Sequence, residues 1–180
     1  VRPVRGPNNH LYLLARPRGS LRAAPGELLT RLNHAVTREV GDTGKFITAA
    51  AFDFAADGTS LRYASAGHND IYVWRQATGE FDKLESTGTM LGCFLGFDFD
   101  QESVSLSRGD IVLLYTDGIV EAMCPGEVEM YGDDRMLDIV REHAAAPMDK
   151  LVGGIVESVA KFSGRTRFED DVTVAAIRCC

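Results

Sequence analysis

Apolar positions recur at helical spacing near the start of the chain, alternate through its middle, and return to helical spacing before the end. Leu28, Leu32, Ala35 and Val36 stand three or four apart, with Leu29 and Val40 beside them, which predicts an amphipathic helix. Pro25 suits its first turn, Glu27 complements its amide end and Gly41 supplies a stop. Over 46–54, Phe46, Thr48, Ala50, Phe52 and Phe54 share one face of a predicted strand. A second strand at 61–66 follows across Asp57-Gly58, a good hairpin turn. Strands at 71–74 and 81–84, with a turn at Thr78-Gly79, extend this into an antiparallel meander. Segments 103–106 and 111–115 predict a further hairpin across Ser107-Arg108-Gly109-Asp110. The run Ile111–Tyr115 is apolar on both faces, as in a strand covered by layers on either side.

Helical spacing resumes with Met136, Leu137 and Val140 in 133–143, then with Leu151, Ile155, Val159 and Phe162 in 147–162. A last strand is predicted over 172–177. Strands, two helices and a returning strand make an α+β, layered fold. Residues 1–24 carry Pro3, Pro7, Pro17, Gly6 and Gly19 with no sustained period. They read as an irregular N-terminal segment, leaving 25–180 as the folded domain.

Charge adds an asymmetry. The chain of 180 residues has 26 acids and 19 bases, yet residues 1–26 contain no acid and five arginines. Residues 27–180 therefore hold 26 acids and 14 bases, a net of −12, which excludes non-specific nucleic-acid binding, since that needs clustered cations. Cys93, Cys124, Cys179 and Cys180 fit neither a zinc nor a redox spacing and read as reduced thiols of a cytoplasmic protein, the terminal pair exposed. No apolar run approaches the roughly 18 residues that span a bilayer. The first residue is valine, so the chain reads as part of a longer one, which could carry a sensor domain.

Two places set carboxylates at strand tips. Asp117 follows Ile111–Tyr115 and Thr116, with Gly118 permitting a turn; Asp170 and Asp171 precede the final strand. If the two strands are neighbours, an all-oxygen cluster arises that suits magnesium or manganese. Such ions activate water for displacement at phosphorus. Each feature also has an ordinary explanation: Asp-Gly is a common turn, acids before a strand are usually solvated, and His68 fits a hydrogen-bonded turn residue as well as a proton donor. His10, His34 and His143 carry no motif. Spacing alone leaves these alternatives open.

Taken in order, Pro25-Gly-Glu-Leu-Leu-Thr-Arg-Leu-Asn33, Lys45-Phe-Ile-Thr-Ala49, Leu61-Arg-Tyr-Ala-Ser-Ala-Gly-His-Asn69, Gly109-Asp-Ile-Val-Leu-Leu-Tyr-Thr-Asp117-Gly118-Ile-Val-Glu121-Ala122 and Asp170-Asp171-Val-Thr173 resemble the successive blocks of SpoIIE/RsbU-type phosphatases. These are members of the PPM group of metal-dependent serine/threonine protein phosphatases. The resemblance spans about residues 25–178. It implies a layered sandwich of two antiparallel β-sheets flanked by helices, with a manganese or magnesium pair at one end. It implies Asp117 and Asp170 as metal ligands with Asp171 at the more variable second position, and supporting or structural roles for Gly118, Glu121, His68 and Thr173. Hydrolysis would use a metal-activated water and no phospho-enzyme. The implied substrate is phosphoserine or phosphothreonine on a small regulator of a bacterial sigma-factor (stress-response) cascade, of the anti-sigma-factor-antagonist type.

One departure stands out. The family's early Gly-Asp-x-Ser-Gly-His-Gly block, whose aspartate bridges both metals, has no counterpart in residues 1–24. Without that anion, weak or single-metal occupancy is expected. The alternatives are a non-catalytic domain that binds a partner protein and, more remotely, another oxygen-ligated metal hydrolase.

Overall fold

The computed structural model describes residues 23–40, 43–126, 128–164 and 170–180, so residues 1–22 of the segment expected to be irregular lie outside it. The described chain forms two compact units, one from residues up to Asp70 with Glu85–Ser107, the other from Ile71–Leu84 with Arg108–Cys180.

In the first unit, helix α1 (Pro25–Val40) lies against strands β1 (Ala49–Phe54) and β2 (Ser60–Ala66), and β5 (Glu102–Ser105) completes an antiparallel sheet in the order β1-β2-β5. The β1–β2 hairpin uses the expected turn. Asp57 Oδ1 accepts the Thr59 N–H at 3.0 Å and hydroxyl at 2.8 Å, and Gly58 takes a φ of +73°. Leu29, Ala51, Ala64, Ala66, Leu91 and Phe99 form the core.

The expected apolar face of α1 is kept in part: Leu28 and Val36 pack against this core and Leu29 and Asn33 are buried, while Leu32 and Ala35 are exposed. β1 turns Ala51 inward while Phe52 and Phe54 stay half-buried, and it begins three residues later than expected, leaving Phe46 and Ile47 exposed. The alanines Ala51, Ala64 and Ala66, rather than the aromatic residues of β1, are the side chains this sheet buries with Leu29 of α1.

In the second unit, β3 (Ile71–Arg75), β4 (Glu80–Leu84), β6 (Ile111–Tyr115) and β7 (Val174–Arg178) form an antiparallel sheet in the order β4-β3-β6-β7. A four-residue helix, α2 (Asp117–Val120), not foreseen in the sequence, follows β6, and α3 (Gly132–His143) and α4 (Met148–Ser163) come after it. Tyr72, Leu113 and Tyr115 of the sheet share one core with Met136 and Val140 of α3 and with Leu151, Ile155 and Val159 of α4. All five residues of β6 are buried, as its two-faced apolar run predicted.

The expected fold class, α+β with two antiparallel sheets and flanking helices, is the one adopted. Two strand pairings differ. The meander is two hairpins in separate sheets, β1–β2 and β3–β4. The predicted hairpin between 103–106 and 111–115 does not form, because β5 pairs with β2 while β6 lies between β3 and β7. With both edges of β6 taken, no hydrogen-bonding edge remains for β5.

Candidate functional site

The β6–β7 pairing decides what the acids can do together. Tyr115 is opposite Val174 in register, so the exit of β6 lies beside the entry of β7. The next residue, Thr116, donates its N–H to Thr173 O at 2.9 Å and its hydroxyl to Asp171 O at 2.8 Å; the same hydroxyl accepts the Thr173 N–H at 2.9 Å. Asp117 comes directly after it and opens α2, its Oδ1 accepting the Gly118 N–H at 3.0 Å. On the facing loop, Asp170 Oδ1 accepts the Asp171 N–H at 2.7 Å. Gly118 is required by proximity: a Cβ there would stand 2.7 Å from Asp171 O.

Asp117, Gly118, Glu121, Asp170, Asp171 and Thr173 thus belong to one unit, at neighbouring strand ends. Glu121 caps α2, its N–H donating to Asp117 O at 2.8 Å, with its side chain exposed. His68 belongs to the first unit. It is buried, with Nδ1 3.4 Å from Thr48 Oγ1, and follows Gly67, whose φ of +60° and approach to Met90 leave no room for a Cβ. Thr116 is the residue that sequence reading missed. Its only signal was a hydroxyl-bearing residue at the point where a buried strand meets an aspartate.

The other end of β6 is closed by an ion pair. Asp110, 1% exposed, accepts from Arg75 Nη1 at 2.8 Å and from the Gln76 N–H at 3.0 Å. Burial opposes the charge on Arg75, but its bonds to Asp82 and Asp110 hold its pKa above the usual value. Cys179 is tied in there by backbone bonds to Gly109 and Asp110, and burial followed by the Asp110 charge pushes its thiol up. The terminal cysteines are therefore unlike: Cys179 is buried and only Cys180 is exposed, against the expectation for the pair.

For a hard divalent cation, the donor type fits, since the acids at the β6–β7 end offer carboxylate oxygens alone. The number does not reach a full set: among the described residues no three His, Cys, Asp or Glu side chains gather into a metal-holding group. Among the same residues, no helix is long and apolar enough to cross a membrane.

Comparison with known proteins gives a consistent answer. The sequence model of a family described as Stage II sporulation protein E (SpoIIE) matches residues 12–179. Phosphoserine phosphatase RsbU of Bacillus subtilis (strain 168) is 29% identical over 154 residues, which cover 86% of this chain and 45% of RsbU. The SiaA-PP2C domain of Pseudomonas aeruginosa superposes with a TM-score of 0.73 at 21% identity, covering 86% of this chain and 61% of that one. The phosphatase domain of the cell fate determinant SpoIIE from Bacillus subtilis, presoaked with manganese, gives a TM-score of 0.59 at 18% identity, with 91% and 76% covered. These structural likenesses carry the PP2C-type fold. The chain spans less than half the length of the curated relatives it matches.

Proposed function

The chain belongs to the SpoIIE family, with the PP2C-type phosphatase fold, and from that premise we propose that it hydrolyses phosphoserine or phosphothreonine on a small regulatory protein of the anti-sigma-factor-antagonist type. The observation that carries the reading is the β6–β7 pairing, which sets Asp117 beside the loop of Asp170 and Asp171. In this proposal Asp117 and Asp170, with Asp171, hold manganese or magnesium. When bound, such an ion lowers the pKa of a water and screens charge on a phosphoryl oxygen. The chain's own part is orientation. Gly118 N–H fixes the Asp117 carboxylate, Asp171 N–H fixes that of Asp170, and Thr173 holds the loop to β6. Glu121 supports the turn of α2, and His68 has a structural role in its own unit. Four free thiols support a reducing, cytoplasmic setting.

A second reading, a non-catalytic domain that binds a partner, is favoured by one observation: three metal-holding side chains do not gather among the described residues. Phosphate release from a phosphoserine protein, measured with Mn2+, with Mg2+ and with neither, separates the two. Asp117→Asn is expected to lower the Mn2+-dependent rate by about a hundredfold or more, because a metal's charge stabilisation is worth several kcal/mol. An unchanged rate in that variant overturns the ligand assignment. No release by the unaltered chain with either ion supports the binding domain.

A further inference from the structure

We propose that Thr116 is a positioning residue whose buried hydroxyl sets the separation between Asp117 and the Asp170-Asp171 loop. The inference rests on the reading that these acids hold a divalent cation. Thr116 is 3% exposed, and its hydroxyl works in both directions, donating to Asp171 O at 2.8 Å and accepting from Thr173 N–H at 2.9 Å. Its backbone N–H adds a third bond, to Thr173 O at 2.9 Å. The end of β6 is thereby fastened on both sides of Val172. Asp117 is the next residue along the chain, and Asp170 is joined to the fastened loop through its own bond to the Asp171 N–H. Each carboxylate is one link away from the Thr116 bonds.

A hydroxyl can donate and accept at once, and so can serine's; valine has the same shape as threonine and can do neither. Valine at this position keeps the packing and leaves Asp171 O and Thr173 N–H without their partner. Gly118 sets the same spacing from the other side, since a methyl there would meet Asp171 O at 2.7 Å. Hydrogen bonds that hold ligands in place commonly govern metal affinity by 10–100-fold.

The test is Mn2+ binding to the full chain by titration calorimetry, at a temperature where circular dichroism shows each variant folded. KM for a phosphoserine protein is measured beside it. Thr116→Val is expected to weaken Mn2+ binding about tenfold with KM unchanged, and Thr116→Ser to restore it. Gly118→Ala, with the hydroxyl intact, is expected to weaken binding to a similar extent, and it decides the matter if Thr116→Val does not fold. A lower melting temperature in Thr116→Val with unaltered Mn2+ affinity shows a purely structural role and overturns the inference; so does unaltered affinity in Gly118→Ala. Asp117→Asn separates the two levels. If it binds Mn2+ as the parent chain does, or if the parent does not bind, the cation reading falls and takes this inference with it. If binding is lost in Asp117→Asn but kept in Thr116→Val, only the role of Thr116 falls.

Discussion

Tyr63 is 2% exposed, and its hydroxyl donates to Glu102 Oε2 at 2.7 Å. Burial, then the hydrogen bond and charge of Glu102, push the phenol well above tyrosine's usual 10. Because the folded pKa exceeds the unfolded one, the protonated side chain contributes stability that is whole below pH 10. That stability is lost as pH rises through the folded value. Absorbance titration of the phenols is expected to show a late step that Tyr63→Phe removes, with Tyr131, raised mainly by burial, also titrating late. At this scale the sequence was readable where chemistry is local. Asp117-Gly118 and Asp170-Asp171 announced themselves as carboxylates at strand tips. Thr116 did not, since its three bonds cross to residues more than fifty positions away and leave no local pattern.

α1 shows how one polar side chain organises an element's neighbour. Asn33, 1% exposed, donates Nδ2 to Phe94 O at 2.8 Å and accepts the Gly92 N–H on Oδ1 at 2.9 Å, holding a loop whose Phe94 and Leu95 are exposed. Asn33→Ala leaves those loop groups without partners and is expected to cost about 1–3 kcal/mol in thermal denaturation. Chymotrypsin cleavage after Phe94 should quicken with it. An apolar-periodicity argument passes over such a residue, so the expected apolar face of α1, right at Leu28, Leu29 and Val36, took in Leu32 and Ala35 and left out Asn33. β6 was readable for the opposite reason: an unbroken apolar run has nowhere to go but a central position. The same centrality defeated the hairpin expected with β5. Adjacency in sequence suggests pairing, but β5, with the pattern Glu-Ser-Val-Ser and three exposed residues, suits the outer edge beside β2.

Over the whole molecule, the acid excess and the proposed cation site have a common measurable consequence. A ligand that binds only the folded state at a hundred times its Kd adds about 2.7 kcal/mol of stability. For a chain of this size that is a rise in Tm on the order of 5–10 °C. Mn2+ is expected to produce it in the parent chain and not in Asp117→Asn, followed by calorimetric or fluorescence melting. The arrangement into two antiparallel sheets with flanking helices was legible from element order and the family blocks, whereas the split of the meander between sheets was not. Each hairpin satisfies its own turn and register equally well in one sheet or two. Where the family's early acidic block should stand, residues 1–22 lie outside the described structure.

The outer strand β4 has a further consequence. It pairs with β3 on one side, and among the described residues its other side carries no strand. A bare edge is a template on which a second molecule can add a strand and begin a fibril. Glu80, Asp82 and Lys83 are exposed along β4, and Asp82 is held by Arg75 Nε at 2.8 Å. Stripping charge from that edge, as in Glu80→Val with Lys83→Val, is expected to raise light scattering on storage while leaving the monomer's melting temperature nearly unchanged. On that expectation, it is the placement of a few charges along one strand, and not the net charge of the chain alone, that guards the second unit against strand addition.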